Sequence, residues 1–218
     1  MNRDITPALS EMRRHYQMAR LDPATMIADP ILQFQAWMAD AVKAEILEPN
    51  AMTLATATPD GRPLARTVLL KGLDSRGFVF YTNFESRKSR HMLDNPHVSL
   101  VFPWILLERQ VIITGSVTRV SPEETEVYFR SRPRESQIGA WASPQSRVIS
   151  GREVLEAEWA ATDARYPEGA VPVPPHWGGF RVRPETIEFW QGGAHRLHDR
   201  LQYTRQPDDS WVIDRLAP

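Results

Sequence analysis

The chain has 218 residues, a formal net charge of −1 at pH 7 and no cysteine. Its length suffices for a substantial core, its charge gives no field that favours nucleic acid, and the lack of cysteine excludes disulfides, thiolate nucleophiles and zinc–thiolate sites. No apolar run approaches the ~18 residues of a membrane helix, and residues 1–10 lack the apolar core of a signal peptide. We therefore expect a cytoplasmic protein without nucleic-acid or membrane partners.

Two helices are predicted in the first part of the chain. A short helix is indicated over 11–19. Asp29 and Pro30 then form the pair expected at a helix start, an N-cap followed by proline at the first helical position. Apolar residues recur after them at helical spacing, so the pattern predicts an amphipathic helix over 30–47.

The remainder alternates between β-rich runs and turn signals, which indicates an antiparallel meander. Helices are predicted at 86–94, from Pro122 to about 130, and at 150–166. We expect 72–77 to be a turn, 171–175 to be an extended linker, and Pro184 to interrupt its strand. The predicted strands are 52–58, 64–71, 78–81, 97–102, 110–120, 180–190, 196–204 and 211–215. The fold class is therefore mainly β (α+β): one sheet or barrel of antiparallel strands with flanking helices.

The run from Trp190 to Arg200 is the first candidate for a ligand site. An aromatic residue precedes a glycine pair, and Arg196, His198 and Arg200 follow at spacing two. On a strand these three side chains share one face, where they repel one another unless an anion lies opposite. A solvated basic edge strand explains the same pattern, because charged residues discourage edge pairing.

A second segment breaks the usual charge preference of a helix. Ser86 is placed as an N-cap, yet Arg87 and Lys88 occupy the first turn, where the helix dipole already disfavours cations. A bound phosphate resolves this conflict, since free backbone N–H groups, a hydroxyl and two cations then face one anion. The alternative is two solvated side chains that lean away from the helix end.

Three further segments carry polar groups suited to ligands. Arginines recur over 128–137 with a tyrosine and serines, which suits a second phosphate site or a solvated charge run. Arg66 and Lys71 bracket an apolar strand and are also explained by long side chains reaching water from strand ends. Gln145 and Ser146 offer amide and hydroxyl groups to a heterocycle.

Several catalytic motifs are missing from the sequence. It contains no dinucleotide-binding glycine motif, no phosphate-binding P-loop and no nucleophile elbow. His195 and His198 are poorly spaced for a metal if they lie on a strand, so we expect no metal. Two phosphate-suited clusters and Trp190, an aromatic side chain suited to a planar ligand, indicate a phosphorylated cofactor together with a phosphorylated substrate. These residues alone do not select a flavin over another phosphorylated heterocycle.

Long motifs, in a family's order, extend this picture over nearly the whole chain and most strongly over 51–218. The sequence resembles the pyridoxine/pyridoxamine 5′-phosphate oxidases in the runs RTVLLKG, VFYTNFESRKSRHMLDNPHVSLVFPW, ERQVIITG, YFRSRPRESQIGAWASPQS, HWGGF, IEFWQGGAHRLHDR and WVIDRLAP. The resemblance implies a split β-barrel with flanking helices, a homodimer, and FMN bound at the subunit interface. It also implies oxidation of pyridoxine or pyridoxamine 5′-phosphate to pyridoxal 5′-phosphate, with O₂ as acceptor and H₂O₂ as product.

The resemblance assigns roles residue by residue. The cofactor contacts, to which the helix-start argument adds Ser86, are Arg66, Thr67, Val68, Leu69, Leu70, Lys71, Tyr81, Thr82, Ser86, Arg87, Lys88, Gln110, Gln145, Ser146, Trp190 and Arg200. The substrate contacts are Lys71, Tyr128, Arg132, Ser136, Arg196 and His198, with Arg13 and Tyr16 from a lid. Arg196 and His198 are the catalytic candidates. Strand parity places Arg66 and Lys71 on opposite faces, which this assignment leaves unexplained.

The implied organisation has a mobile N-terminal segment over 1–28 and a single FMN-binding domain over 29–218, whose dimerisation region is about 171–218. The N-terminal region matches the family least, because 17–27 lacks the basic run of some members. Two other functions stay open. One is a sister split-barrel flavin oxidase of the phenazine-biosynthesis type, which does not need the Arg132–Ser136 phosphate site. The other is a non-catalytic flavin- or haem-binding module.

Overall fold

The computed structural model describes Tyr16 and residues 19–167 and 169–218. Its helices are α1 (Pro30–Lys43), α2 (Arg87–Asp94), α3 (Pro122–Ser131), α4 (Arg134–Ala142) and α5 (Arg152–Arg165). Its strands are β1 (Ala51–Ala57), β2 (Pro63–Leu69), β3 (Gly72–Asp74), β4 (Gly77–Asn83), β5 (His97–Trp104), β6 (Arg109–Arg119), β7 (Trp177–Gln191), β8 (Asp199–Arg205) and β9 (Trp211–Leu216). Most of the helix predicted over 11–19, including Arg13, lies outside the described residues.

The described residues form two compact units. The first holds the residues up to Pro49 with Pro103–Ile112 and Ile187–Pro218, and the second holds Asn50–Phe102 and Ile113–Thr186. In the second unit the strands follow the order β2-β1-β5-β6-β7-β4-β3. In the first, β8 pairs with the end of β7 and antiparallel with β9. The predicted mainly antiparallel fold with flanking helices is confirmed.

Local chemistry explains why several elements begin where the sequence predicts. The Asp29 carboxylate accepts hydrogen bonds from the backbone N–H groups of Ile31 (2.7 Å) and Leu32 (3.4 Å), which caps α1. Ser121 caps α3 in the same way by accepting from the Glu124 N–H at 3.1 Å. Each cap satisfies N–H groups that otherwise lack a partner at a helix start.

Aromatic side chains build the core of each unit. In the first, the ring of Trp37 on α1 meets Phe189 edge-on with centroids 5.0 Å apart, and Phe189 in turn meets Tyr203 at 5.5 Å. In the second, Phe80 and Phe180 stack at 5.9 Å. Residues along β1 alternate between buried and half-buried, as a strand with one face on the core requires.

Five element predictions are corrected by the structure. The region 72–77 is not only a turn, because Gly72–Asp74 pairs with β4. Helix α1 ends at Lys43, since Glu45 adopts a left-handed backbone with φ of 53°. Helix α4 was not predicted, because its nine residues bury only Ile138 and Ala142 and so show little periodicity. The fourth, the strand predicted from Arg196, is described with the site.

Strand β7 runs through Pro184 without the expected interruption. Glycines on the neighbouring strands make this possible. A Cβ at Gly115 would collide with the carbonyl oxygen of Arg183, and one at Gly77 with that of Val182. The absence of side chains at these two positions lets β4 and β6 approach β7 closely around the proline, so no turn is needed.

Candidate active site

A cavity of about 450 Å³ lies within the second unit. Eleven of the predicted site residues line it: Thr67, Val68, Leu69, Lys71, Tyr81, Thr82, Lys88, Tyr128, Arg132, Ser136 and Gln145. The sequence reasoning did not assign five others that line it, Asn83, Gly139, Ala140, Ser143 and Trp177. The predicted residues come from β2, β4, α2, α3, α4 and the connections after β2, α3 and α4, so this one cavity brings together segments distant in sequence.

Lys88 and Arg66 place two cations close together in this region. The Lys88 ammonium donates to Ser86 Oγ at 3.2 Å and to Gln145 Oε1. Burial, and to a smaller extent the neighbouring Arg66 guanidinium, lower the pKa of Lys88 to about 8. Arg66 donates through Nη1 to the Leu54 carbonyl at 2.8 Å, while its buried Nη2 has no partner among the described residues. Two adjacent cations and an unpaired donor suit an oxyanion.

Gln145 is held in place by this cationic group. Its Oε1 accepts from Thr82 Oγ1 at 3.1 Å as well as from Lys88. Gln145 itself sits in the loop after α4, and Thr82 is on β4. Of the predicted polar pair Gln145-Ser146, only Gln145 lines the cavity, whereas Ser146 is exposed and has φ of 71°.

Arg132 supplies a third cation to the cavity from the junction of α3 and α4. Its guanidinium carbon lies 4.7 Å from the Trp177 ring centroid and 5.6 Å from that of Phe129. Burial lowers the pKa of the Arg132 guanidinium, and its buried Nη1 has no partner in the described part of the chain. Arg130 pairs instead with Glu126 at 2.9 Å, and Arg134 with Asp163 at 2.7 Å. Of the three arginines in this run, only Arg132 faces the cavity.

Three stacked rings form an aromatic wall of the cavity. Tyr81 lies 3.9 Å from Tyr128 and 5.4 Å from Trp177, with the ring planes within 18° of one another. A Cβ at Gly179 would lie 2.8 Å from Tyr81 Cε1, so the second glycine of the HWGGF run makes room for this ring. Burial raises the pKa of both tyrosines, which therefore act as neutral hydroxyl groups.

The parity problem at Arg66 and Lys71 disappears because β2 ends at Leu69. Lys71 lies beyond the strand, lines the cavity and is exposed, so the alternation of strand faces does not apply to it.

Three other predicted cofactor residues do not line the cavity. Leu70 is buried, and its N–H donates to the Asn50 carbonyl at 2.9 Å. Arg87 is exposed and does not line the cavity, and buried Ser86 caps α2 by accepting from the Ser89 N–H at 3.4 Å.

A second cluster of predicted residues belongs to the first unit. Trp190 and His198 lie with ring centroids 4.8 Å apart, and Tyr16 meets both edge-on at 5.8 and 5.6 Å. A Cβ at Gly192 would lie 2.7 Å from Tyr16 Cγ, so the glycine seats the tyrosine ring. The Gly193 N–H donates to His198 Nδ1 at 3.1 Å, which places the hydrogen of a neutral imidazole on Nε2. Gln110, Trp190 and Tyr16 also line a cavity of about 370 Å³.

The strand predicted from Arg196 is wrong in its start, and with it the shared face of Arg196, His198 and Arg200. Residues Ala194–Arg196 form a 3-10 turn closed by the Leu197 N–H on the Ala194 carbonyl, and β8 begins at Asp199. His195 and Arg196 have φ of 56° and 63°, a left-handed conformation that strands do not contain. Arg196 is exposed in this turn. Arg200 forms a two-point ion pair with Glu188.

The described residues contain neither a metal-binding cluster nor a membrane-spanning helix. Within the described ranges, no three His, Asp or Glu side chains are placed to hold an ion. Among the helices of those ranges, none is long and apolar enough to cross a membrane.

The antiparallel fold and the cation-lined cavity define a protein class suited to phosphorylated ligands, and comparisons specify the family. A pyridoxamine 5′-phosphate oxidase model matches residues 38–166, and a pyridoxine 5′-phosphate oxidase C-terminal dimerisation region matches 177–218. The pyridoxine/pyridoxamine 5′-phosphate oxidase of Streptomyces avermitilis is 52% identical over 100% of this chain and 99% of its own. That of Salinibacter ruber is 55% identical, over 96% and 99%. The chain belongs to the pyridoxamine 5′-phosphate oxidase family.

A solved structure supports the same conclusion about the fold. PhzG from Burkholderia lata, in complex with tetrahydrophenazine-1-carboxylic acid, superposes with a TM-score of 0.85 at 34% identity, covering 91% of this chain and 98% of that one. An FMN-binding, oxidase-related protein from Nostoc punctiforme shares the fold at 16% identity with a TM-score of 0.69. The predicted split β-barrel class is thereby confirmed.

Proposed function

We propose that this protein is an FMN-dependent oxidase that converts pyridoxine 5′-phosphate and pyridoxamine 5′-phosphate to pyridoxal 5′-phosphate, with O₂ as acceptor and H₂O₂ as product. The observation that carries the proposal is the set of cations in and beside one cavity: Lys88 next to Arg66, and Arg132 on a different element. A phosphorylated cofactor and a phosphorylated substrate need two such positions. Family membership supports the choice of these two ligands.

The residues beside α2 fit the phosphate of FMN. The unpaired Arg66 Nη2 and the Lys88 ammonium supply donors whose burial is costly until an anion accepts from them. Arg66, Thr82, Lys88 and Gln145 would hold the cofactor here, and the family resemblance also assigns Trp190 and Gln110 to FMN. When bound, FMN would supply the redox chemistry, a two-electron oxidation of the substrate for which O₂ is the final acceptor.

The residues around α3 and α4 fit the phosphate of the substrate. Arg132 has a buried N–H donor without a partner, and Lys71 has an exposed ammonium group. Tyr128 and Ser136 add hydroxyl groups, and all four residues line the same cavity. The phosphate is remote from the carbon that reacts, so its binding energy serves to orient the pyridine ring. This position distinguishes a phosphorylated substrate from an unphosphorylated one.

His198 and Arg196 would act on the substrate ring rather than on its phosphate. The Gly193 N–H occupies His198 Nδ1, so the neutral imidazole presents an Nε2–H donor in a defined orientation. Arg196 extends from a strained turn and would cover the ring face away from the flavin, with Arg13 and Tyr16 closing the site as a lid. These roles come from family resemblance. The C-terminal dimerisation match supports a homodimer as the functional state.

An oxidase of the PhzG type is the second candidate, because a PhzG structure superposes well. A comparison of this chain with two proteins of one organism favours the oxidase of pyridoxine 5′-phosphate. The pyridoxine/pyridoxamine 5′-phosphate oxidase of Burkholderia lata is 54% identical to this chain over 96% of its length, whereas PhzG of the same organism is 34% identical. Arg132 and Ser136 at the cavity also suit a substrate phosphate.

The purified protein tests the proposal directly. We expect a flavin absorption spectrum, release of FMN and not FAD on denaturation, and H₂O₂ production when pyridoxine 5′-phosphate is added. Peroxide from a dihydrophenazine substrate but not from pyridoxine 5′-phosphate would transfer the protein to the second candidate. Bound flavin with neither activity would indicate a non-catalytic module.

A further inference from the structure

Arg132 is held in the cavity by aromatic rings and not by a carboxylate. Its guanidinium carbon lies 4.7 Å from the Trp177 centroid, within the ~6 Å at which a cation and a ring face attract. Among the described residues, no carboxylate pairs with this guanidinium, and the one ionisable side chain that acts on it is Tyr128. Arg130 and Arg134, which flank it, each pair with a carboxylate. Arg132 is therefore positioned by aromatic rings, whereas its two neighbouring arginines are positioned by carboxylates.

Trp177 is itself rigidly placed. It is the first residue of β7, where it pairs in register with Asn83 of β4 and is 8% exposed. One side of its indole belongs to the stack with Tyr81 and Tyr128. Phe129 meets it edge-on at 5.1 Å. A ring fixed by strand pairing and by three neighbouring aromatic side chains gives the long Arg132 side chain a definite position.

The type of partner determines whether the N–H groups of Arg132 remain available to bind an anion. A carboxylate partner would neutralise Arg132 and occupy the donors that a phosphate needs. A ring face orients the guanidinium through its quadrupole but leaves the in-plane N–H groups available. The buried Nη1 without a partner is such a donor. An aromatic seat thus positions the charge and keeps it open to an anion.

We propose that Trp177 is a positioning residue that sets the preference of this cavity for phosphorylated over unphosphorylated pyridine substrates, by holding the Arg132 guanidinium over its indole face. The inference rests on the proposed function, since it assumes that a phosphorylated pyridine occupies this cavity. It adds a selectivity determinant from β7 to the phosphate contacts from α3 and α4.

The experiment compares Trp177→Leu and Trp177→Phe with wild type as FMN-loaded protein. The readout is the ratio of kcat/KM for pyridoxine 5′-phosphate to kcat/KM for pyridoxine, together with KM and kcat separately and the inhibition constant of inorganic phosphate. Trp159→Leu is the matched control, because Trp159 packs against the same aromatic cluster without lining the cavity. Circular dichroism and bound flavin verify folding of each variant.

We expect Trp177→Leu to lower the selectivity ratio about 5- to 30-fold, mainly through KM for the phosphorylated substrate, which is the factor that a cation–π contact supplies. Trp177→Phe retains a ring and should show a smaller loss, and Trp159→Leu should keep the wild-type ratio. In an Arg132→Ala background, Trp177→Phe should change the ratio no further, because its effect passes through the arginine.

Each result decides the matter. A Trp177→Leu protein with the wild-type ratio overturns the inference alone, as does an undiminished Trp177→Phe effect in the Arg132→Ala background. If Trp177→Leu fails to fold, the Trp177→Phe comparison in the two backgrounds still decides. A wild-type protein that does not oxidise pyridoxine 5′-phosphate at all overturns the proposed function and this inference with it.

Discussion

Arg200 and Glu188 form a two-point ion pair, with Nε to Oε1 at 2.8 Å and Nη2 to Oε2 at 2.9 Å. Arg200 Nη1 also donates to the Ala217 carbonyl at 3.0 Å. The Glu188 side chain is 9% exposed and that of Arg200 is 32% exposed. An arginine that resemblance assigns to the flavin therefore has a structural role as well, tying β8 to β7 and to the chain end.

Because of this ion pair, we expect the substitution of either residue to lower the free energy of unfolding. Glu188→Gln and Arg200→Gln should each lower the free energy of unfolding by about 1–3 kcal/mol, because each leaves a partly buried charge unpaired. Urea unfolding of the apo-protein measures this. A flavin contact predicts in addition that Arg200→Gln weakens FMN binding more than Glu188→Gln. Equal FMN affinities would assign Arg200 to the fold alone.

Lys88 and Arg87, adjacent on α2, give a matched pair for the cofactor phosphate. Lys88 lines the cavity, whereas Arg87 is exposed and does not. We expect Lys88→Ala to reduce FMN affinity about 10- to 150-fold, the value of a charge-assisted hydrogen bond, and Arg87→Ala to cost less because water screens an exposed charge. Titration by flavin fluorescence quenching measures both. A larger loss in Arg87→Ala would contradict the assignment.

The lowered pKa of Lys88 also predicts that FMN binding depends on pH. Its folded-state pKa is about 8, below the ordinary 10.5, so the apo-protein loses this proton while the unfolded chain keeps it. Stability from this group therefore rises as pH increases from about 8 to 10.5. The phosphate needs the protonated amine, so FMN affinity should fall as pH rises above about 8. Riboflavin, which lacks the phosphate, should not show this fall, and Lys88→Met should abolish it for FMN. A pH-independent wild-type affinity between pH 7 and 9 would contradict the prediction.

Arg132 and Arg130 provide the corresponding pair for the substrate phosphate. Arg132→Ala should raise KM for pyridoxine 5′-phosphate about 10- to 150-fold while FMN affinity stays nearly unchanged. Arg130→Ala should leave both constants near wild type, because Arg130 pairs with Glu126 on the helix surface. Steady-state kinetics at saturating FMN gives the answer. Loss of FMN from Arg132→Ala would show that the two phosphate positions are not separate.

Arg196 and His195 share one turn and one backbone conformation, which makes them a test of side-chain function. Arg196→Ala should lower kcat as well as substrate affinity, since the proposed role is to orient the ring against the flavin. His195→Ala should change both much less, although it removes a neighbouring exposed side chain with the same positive φ. If Arg196→Ala keeps normal kinetics, this turn is a solvated surface feature.

Sequence reasoning succeeded where the signal is local. Proline and cap residues identified the starts of α1, α2 and α3, because a capping side chain bonds to N–H groups two or three residues away. The conflict of Lys88 with the helix dipole indicated an anion site, and Lys88 does line the cavity. Arg87 carries the same sequence signal but is exposed, since the two neighbouring side chains on a helix point in different directions.

Features that depend on tertiary contacts were not predictable in this way. Spacing two suggested that Arg196 and His198 share a strand face, but a left-handed turn closes between Gly193 and Leu197. Trp177 gave no sequence signal for the cavity, because its role arises from the stack with Tyr81 and the approach of Arg132. An aromatic residue before two glycines is a usable signal in retrospect, since both glycines make room for rings.

The close approach of Gly115 and Gly77 to β7 bears on how inherited or laboratory variants of this protein should be sorted. An alanine at either glycine would force the strands apart around Pro184. Such variants should accumulate poorly in cells, while the fraction that matures should turn over substrate at an ordinary rate. Variants at Lys88 or Arg132 should show the opposite: normal abundance with deficient ligand binding. Measuring protein level and specific activity together would separate the two kinds of variant.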